Sequence, residues 1–140
     1  MAFATYPSLT GRVVFITGGG SGIGAAMVAA FAANEASVAF VDIDRAASEA
    51  LVRDLAGCRR PPLFIPCDLT DTEALQGAIR QTREQFGPVA VLVNNAANDE
   101  RHEVDALTPE YWDRAMAVNL RHQFFAAQAV RPHMQALGFG

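Results

Sequence analysis

Short apolar runs alternate with helical patterns along most of this chain. The apolar runs are rich in β-branched residues, have the length of strands and occupy residues 12–17, 37–42, 62–67 and 89–94. Small and apolar residues recur at helical spacing in the segments between them, at residues 22–33, 44–56 and 71–86. Runs so continuously apolar are typical of strands covered on both faces, so the pattern predicts a parallel sheet flanked by helices.

The pattern after residue 107 is helical again. Thr108, Pro109 and Glu110 predict the N-cap, the first-turn proline and the acidic first turn of a helical stretch that reaches about residue 137. Because Pro132 cannot donate a backbone hydrogen bond, we expect two helices or one kinked helix. His133, near a helix end, is expected at the surface. An apolar stripe is expected to pack and consists of Leu120, Phe124, Ala127, Val130, Met134 and Leu137.

Four strands that alternate with helices through right-handed crossovers predict an α/β fold, a doubly wound parallel sheet of the Rossmann type. The expected spatial order is 3-2-1-4, with a ligand crevice between strands 1 and 4. No linker, repeat or low-complexity segment interrupts the sequence, so we expect a single domain over residues 1–140.

Composition and charge exclude several classes of protein. Apolar residues make up 51% of the chain and charged residues 19%, which argues against disorder. The net charge of −4 gives no basic footprint for a nucleic acid. No apolar run approaches the ~20 residues of a membrane span and no signal peptide is evident, so we expect a cytoplasmic protein without a membrane partner. Cys58 and Cys67 form no CxxC pattern, so we expect inert thiols and no metal site.

The sequence TGGGSGIG at residues 17–24 connects the first predicted strand to the first predicted helix. Gly18 permits a tight turn, Gly22 and Gly24 allow close approach of a ligand, and the helix N-terminus offers N–H donors to a pyrophosphate. A flexible connector is the alternative interpretation. A P-loop is excluded because Ala25 stands where that motif requires lysine.

Asp42 ends the second predicted strand, 18 residues after Gly24. A carboxylate there can accept both ribose hydroxyls of NAD and would repel the 2′-phosphate of NADP, although Arg45 lies close by. Capping of the next helix is the alternative role for Asp42. The prediction is therefore NAD rather than NADP.

Polar residues also follow the third and fourth predicted strands. Asp68 and Leu69 are placed to reach an adenine edge, and an Asx-turn or N-cap is the alternative role of Asp68. Two consecutive asparagines, the second being Asn95, can tie a buried crevice together through amide hydrogen bonds, and Ala96 leaves room for a ligand.

Together, TGxxxGIG at residues 17–24, Asp42, Asp68, NNA at residues 94–96 and Asn119 in AVNL resemble the short-chain dehydrogenase/reductase family in order and spacing. The resemblance implies that Asn119 belongs to a catalytic tetrad of Asn, Ser, Tyr and Lys. It also implies homo-oligomer formation by the complete enzyme. The implied cofactor-binding residues are Gly18, Ser21, Gly22, Ile23, Gly24, Asp42, Asp68, Leu69, Asn95 and Ala96.

Two positions depart from the family pattern, which usually has glycine at the positions of Ala97 and Glu35. Glu35 follows the first predicted helix, where a left-handed residue is commonly needed. We expect Asn34 to supply that conformation, because asparagine tolerates it better than most residues.

The run NNAANDERH at residues 94–102 resembles bacterial sugar dehydrogenases of the same family, which oxidise aldoses. The resemblance makes Asp99 and His102 candidate substrate-binding residues, and a solvated loop is the alternative. The complete enzyme would then transfer hydride between a CH–OH group of an alcohol or sugar, such as an aldose, and the nicotinamide.

The family's YxxxK motif has no match in this sequence, because the tyrosines are Tyr6 and Tyr111 and the chain contains no lysine. We therefore expect a chain truncated before the catalytic Ser/Tyr/Lys region and inactive by itself. Two other interpretations remain open. One is a non-catalytic dinucleotide-sensing module, and the other is an S-adenosylmethionine-dependent methyltransferase, which also pairs a glycine-rich turn with an acid after strand 2.

Overall fold

The four predicted strands form one parallel sheet in the computed structural model, which describes residues 4–140. The strands are β1 (Val13–Thr17), β2 (Ser37–Asp42), β3 (Leu63–Pro66) and β4 (Val91–Asn94). Their order is β3-β2-β1-β4, which confirms the predicted topology. In the register, Phe15 of β1 lies beside Ala39 of β2 on one side and beside Leu92 of β4 on the other.

Within residues 4–140, five helices connect and flank the strands. They are α1 (Gly22–Ala33), α2 (Arg45–Asp54), α3 (Thr72–Phe86), α4 (Pro109–Met116) and α5 (His122–Leu137). Short 3₁₀ turns occupy Pro7–Leu9 and Val104–Ala106. Three side chains cap helix N-termini by accepting backbone N–H groups: Asp44 for α2, Asp71 for α3 and Thr108 for α4.

Both faces of the sheet are covered, as the continuously apolar runs predicted. Phe15 packs in a cluster with Leu75 and Ile79 of α3, whereas its neighbour Ile16 packs in a second cluster with Val28 of α1. Successive residues of a strand point to opposite faces, so β1 is apolar at every position before Thr17. All five residues of β1 are buried.

The helical stretch after Thr108 is interrupted at a place that the sequence did not indicate. Residues Ala117–Arg121 form a π-helical turn between α4 and α5, whereas Pro132 lies inside α5 without ending it. Pro132 lies on the exposed side of α5 and removes one backbone N–H donor from the helix. The expectation of two helices is met, but the division lies at Ala117–Arg121 and not at Pro132.

The buried face of α5 also differs from the predicted stripe. The buried residues are His122, Ala126, Val130 and His133, whereas Leu120 and Phe124 are 55% and 64% exposed. Because two histidines lie on the buried face of α5, a prediction of that face from apolar residues alone is wrong. The expectation that His133 is at the surface is wrong as well, because its Nδ1 accepts the backbone N–H of Val89 at 3.3 Å.

The expected left-handed residue after α1 is Glu35 rather than Asn34. Glu35 has a φ of 59°, and Asn34 has a φ of −90°. The Asn34 side chain is engaged in other contacts, since its amide donates to the Ala30 carbonyl and its oxygen accepts the backbone N–H of Tyr6. The N–H of Glu35 donates to the Ala32 carbonyl and that of Ala36 to the Phe31 carbonyl, which is the hydrogen bonding of a Schellman motif.

Candidate functional site

A cleft of about 500 Å³ lies where the carboxyl ends of the four strands meet. Open α/β sheets bind ligands at this edge, where helix N-termini and loops converge. Of the ten residues predicted to bind a cofactor, all except Gly22 line the cleft: Gly18, Ser21, Ile23, Gly24, Asp42, Asp68, Leu69, Asn95 and Ala96. Gly22 lies exposed in the same turn, with a φ of 54°.

Two glycines of the turn are required by close contacts across the cleft. Gly18 has a φ of 67°, and a Cβ added to it would lie 2.8 Å from the Cα of Ala96. A Cβ added to Gly24 would overlap the carbonyl oxygen of Gly18 and lie 2.8 Å from the Asn95 Nδ2. Only residues without a Cβ let α1 approach the ends of β1 and β4 this closely.

The N-terminus of α1 opens into the cleft. Ser21 is the N-cap, and its side chain makes no capping hydrogen bond. Helical hydrogen bonding begins at the Ala25 N–H, which donates to the Ser21 carbonyl, so the amides of Gly22, Ile23 and Gly24 have no partner within the helix. Free amides at the positive end of a helix dipole fit the pyrophosphate of a dinucleotide.

Backbone amides hold the Asp42 carboxylate in a fixed orientation. Its Oδ2 accepts the N–H of Gly20 at 2.8 Å, and its Oδ1 accepts the N–H of Asp44 at 2.9 Å. Gly20 fits between this carboxylate and the buried Ser48, because an added Cβ would lie 3.0 Å from the Asp42 Cγ and overlap the Ser48 Oγ. Each oxygen keeps a lone pair for a ligand hydroxyl. Since Asp44 caps α2, the alternative capping role of Asp42 is not realised.

Asp68 forms the Asx-turn that was the alternative interpretation of this residue. Its Oδ1 accepts the N–H of Thr70 at 2.9 Å and the Thr70 hydroxyl at 2.8 Å, and the side chain is exposed at the rim. The adjacent Cys67 is buried, and burial together with the charges of Asp68 and Asp71 raises the pKa of its thiol to about 11. The Cys67 thiol is thus protonated at neutral pH and inert, as expected.

Asn95 and Ala96 are tied to the end of β1. The Asn95 side chain donates to the carbonyls of Thr17 at 3.1 Å and Gly18 at 2.9 Å. The backbone N–H groups of Asn95 and Ala96 both donate to the Thr17 hydroxyl, at 3.1 and 3.2 Å. These bonds hold the segment after β4 against the glycine-rich turn.

Asn119 lies in the π turn and does not line the cleft, but it holds a residue that does. Its Oδ1 accepts the N–H of Asn98 at 2.8 Å, and its Nδ2 donates to the Asn98 carbonyl at 2.9 Å. Asn98 lines the cleft. This two-point clamp fixes the start of the loop that follows β4.

The two candidate substrate residues lie in that loop and outside the cleft lining. Asp99 is exposed. The His102 ring packs against Tyr111 with 4.0 Å between centroids, and its Nε2 lies 3.6 Å from a Glu100 carboxylate oxygen. The Tyr111 hydroxyl donates to the Glu100 carbonyl at 3.2 Å, which fixes this pair beside the loop.

Sequence reasoning missed the contribution of Thr17 and His122. The His122 ring is buried, and its Nε2 lies 3.3 Å from the Thr17 hydroxyl oxygen. The two residues are 105 positions apart, so no local pattern could have paired them. Thr17 carried one signal, as a polar residue at the end of an otherwise apolar strand.

Residues 4–140 contain neither a cluster of metal ligands nor a helix that could span a membrane. Within that range no group of three or more histidine, cysteine or acidic residues is arranged to hold a metal ion. Over the same residues, no helix combines the length and hydropathy of a transmembrane segment.

Comparison with known proteins identifies related sequences. A family model described as short chain dehydrogenase matches residues 12–140. A probable galactose dehydrogenase of Rhizobium meliloti is 51% identical over 136 residues, which cover 96% of this chain and 53% of that protein. The D-xylose 1-dehydrogenase of Caulobacter vibrioides is 49% identical over 140 residues, covering 100% of this chain and 55% of that protein. The chain thus spans about half the length of the curated relatives it matches.

Solved structures with the same fold contain either nicotinamide cofactor. A metagenomic short-chain oxidoreductase in complex with NADP superposes with a TM-score of 0.89 at 29% identity, covering 95% of this chain and 61% of that one. The NADH-dependent reductase A1-R′ complexed with NAD gives a TM-score of 0.86 at 28% identity, covering 94% and 56%. These neighbours support a nicotinamide cofactor without distinguishing NAD from NADP.

Proposed function

The chain belongs to the short-chain dehydrogenase family, and on that premise we propose that it forms the dinucleotide-binding region of an NAD-dependent dehydrogenase acting on a CH–OH group. The observation that carries the proposal is the fit of α1 to the ends of β1 and β4. Gly18 and Gly24 allow this close approach, because an added Cβ would overlap protein atoms, and the first turn of α1 with its free amides then borders the cleft. When bound, NAD accepts a hydride from the substrate carbon.

The residues of the chain bind and orient the cofactor. The first turn of α1 would hold the pyrophosphate, Asp42 the ribose hydroxyls, and Asp68 with Leu69 the adenine edge. Asn95 and Ala96 would form the floor beneath the nicotinamide end, and Asn119 would act through its clamp on Asn98. The relatives reported above are named dehydrogenases, which gives no support to the methyltransferase or sensing-module alternatives.

NAD is preferred over NADP in this proposal because of the Asp42 carboxylate. Two backbone amides hold it at the end of β2, so a 2′-phosphate would meet a fixed negative charge. Replacing Asp42→Ala together with Ile43→Arg should shift the ratio of kcat/KM values toward NADP, by about tenfold or more if one charged contact is exchanged. The single variant Ile43→Ala is the control, because it leaves the carboxylate in place. Equal or better use of NADP by the unmodified protein would contradict the assignment.

An aldose is the proposed substrate. The similar proteins named as galactose and D-xylose dehydrogenases support this class, and the loop with Asp99 and His102 borders the cleft at Asn98. We expect Asp99→Ala and His102→Ala to raise the KM for the aldose more than they lower kcat, since groups that only bind substrate act on KM. Asp105→Ala, at an exposed position in the 3₁₀ turn farther along the same loop, is the matched control. A substrate screen in which aldoses are inert and other alcohols are oxidised would reject the class.

The 140 residues by themselves are proposed to bind nucleotide without turning over substrate. Removing the carbinol proton needs a base poised near the working pH, and the sequence has no lysine to lower the pKa of a tyrosine in the YxxxK manner. NADH fluorescence titration and an aldose-dependent assay on residues 1–140 test the two halves of this statement. The cytoplasmic location and the homo-oligomeric state of the complete enzyme stay predictions.

A further inference from the structure

A buried chain of hydrogen bonds connects α5 to the floor of the cleft. It runs from the Val118 carbonyl through the His122 ring to the Thr17 hydroxyl, and from there to the backbone amides of Asn95 and Ala96. His122 is 1% exposed and Thr17 is 0% exposed. Nothing in the proposed binding of the cofactor requires a histidine at this place.

The partners of the ring determine which nitrogen carries its proton. A carbonyl oxygen only accepts hydrogen bonds, so the Nδ1 that contacts the Val118 carbonyl must be the N–H donor. The Thr17 hydroxyl has two lone pairs, and the N–H groups of Asn95 and Ala96 occupy both. Its own proton is therefore donated, and the His122 Nε2 is the acceptor. Two independent arguments thus give the same state, a neutral imidazole with its proton on Nδ1.

The surroundings of the ring favour this neutral state. Thr17 of β1 and the Val118 carbonyl are uncharged partners, and the buried residues of α3, which packs on α5, are Leu75, Ala78, Ile79 and Thr82. Arg121, next to His122, is exposed and donates to the Thr70 carbonyl. Burial lowers the pKa of His122 from its ordinary value, and the Val118 carbonyl opposes that shift.

We propose that His122 is a positioning residue for the cofactor cleft, which as the neutral Nδ1–H tautomer orients the Thr17 hydroxyl and through it fixes Asn95 and Ala96. Only the expected effect of His122 on cofactor binding rests on the proposed dinucleotide site. Protonation of Nε2 replaces the acceptor with a donor, so Thr17 must turn its proton away and give up one of the two amides. Acidification is therefore expected to loosen the floor of the cleft.

The state of the ring can be measured without any cofactor. Long-range ¹H–¹⁵N NMR of the intact protein, uniformly labelled with ¹⁵N, should give the Nδ1–H tautomer for His122 at pH 7.5. On acidification, the backbone amide resonances of Asn95 and Ala96 should shift with the same midpoint as the His122 ring. An Nε2–H tautomer or an imidazolium at pH 7.5 would overturn the proposal, as would Asn95 and Ala96 amides that do not follow the ring.

Nucleotide binding gives the second test. In His122→Phe the ring volume is kept but Thr17 loses its acceptor, so the Kd for NADH at pH 7.5 should rise about fivefold or more. In His122→Gln the side-chain oxygen can take the place of Nε2, so the Kd should stay within about twofold of wild type. Because Gln does not titrate, the rise in Kd between pH 7.5 and 5.5 should be lost in that variant.

His133→Gln is the matched control, since His133 is also buried in α5 but contacts Val89 rather than the cleft. It should keep the wild-type pH profile of NADH binding. A pH profile of NADH binding that is the same in His122→Gln as in the wild type would reject the positioning role. If His122→Phe fails to fold, the His122→Gln variant and the NMR measurement still test the proposal. Failure of the wild-type protein to bind NADH at any pH would instead count against the proposed function.

Discussion

The two walls of the cleft are held by different kinds of interaction. The glycine wall comprises residues 18–24 and Asp42, at the ends of β1 and β2, whose residues before Asp42 are all buried. Steric fit and backbone hydrogen bonds fix this wall. The asparagine wall comprises residues 95–98 and Val118, and it follows β4, whose residues are only half-buried or exposed. Side chains from distant parts of the sequence hold this wall, namely Thr17, Asn119 and His122.

This contrast shows that one ligand site can be held in shape by steric fit on one side and by side-chain hydrogen bonds on the other. At four positions of the glycine wall an added Cβ would lie closer than 3.0 Å to neighbouring atoms, namely Gly18, Gly19, Gly20 and Gly24. The geometry of this wall is therefore sensitive to side-chain volume. In the asparagine wall, backbone amides bond to the Thr17 hydroxyl, which in turn contacts the His122 ring. The geometry of this wall is therefore sensitive to protonation of His122 and to the loss of any hydrogen-bond partner. Changes of volume and changes of pH should therefore affect the two walls separately.

The largest expected effect comes from breaking the glycine wall with Gly24→Ala. The added Cβ overlaps the Gly18 carbonyl, so α1 must move away from β1 and β4. Overpacking of this kind destabilises by about 3 kcal/mol, and NADH binding should be lost with it. Chemical denaturation and fluorescence titration measure the two effects. Gly57→Ala, where a Cβ has open space, is the control, and a tolerated Gly24→Ala would refute the close approach of α1.

The second prediction concerns acidification, which should act on the side of the sheet covered by α5. Burial lowers the pKa of both His122 and His133, and for His133 the charge of Arg83 adds to that shift. Below about pH 6.5 the unfolded chain takes up protons that the folded state resists, so the free energy of unfolding should fall as the pH falls. Each histidine contributes a slope of at most about 1.4 kcal/mol per pH unit. The dependence fades above pH 6.5 and vanishes about one pH unit higher, where the histidines are neutral in both states.

Denaturation curves between pH 5 and 8 check this dependence. Combining His122→Gln with His133→Gln should flatten the curve between pH 5 and 6.5. His102→Gln is the control, since His102 lies in the loop after β4 and not on the buried face of α5. A wild-type stability that does not change over this range would contradict the neutral, buried state of both rings.

The smallest expected effect is a gain in stability at the far end of α1. Glu35 holds a left-handed conformation that is unfavourable for a residue with a side chain, so Glu35→Gly should raise the free energy of unfolding by about 0.5–1 kcal/mol. The exposed ion pair with Arg59 is lost, which offsets little of the gain. Thermal denaturation gives the sign, and Ala30→Gly in the exposed interior of α1 should be destabilising instead. Loss of stability in Glu35→Gly would show that the ion pair outweighs backbone strain.

Sequence reasoning succeeded where a local pattern carried the information. The alternation of strands and helices and the meeting of the glycine-rich turn with Asp42 follow from residues close together in the chain, and the order β3-β2-β1-β4 is that of a doubly wound sheet. It failed at the end of α1, where Asn34 looked suited to the left-handed position but was engaged by Tyr6 and Ala30. It also failed for the inward face of α5, because buried histidines do not show in an apolar pattern.

The sequence by itself determined that the glycine-rich turn meets an acid at the end of β2. Both belong to one strand–helix–strand unit, and parallel neighbouring strands bring their carboxyl ends to the same edge of the sheet. Only the tertiary structure decided that Glu35 takes the left-handed position, that the helix changes its hydrogen bonding at Ala117–Arg121, and that His122 meets Thr17. The physical reason is separation along the chain. Contacts between residues about a hundred positions apart depend on how α5 packs against the sheet, and on which polar groups are then left to find partners.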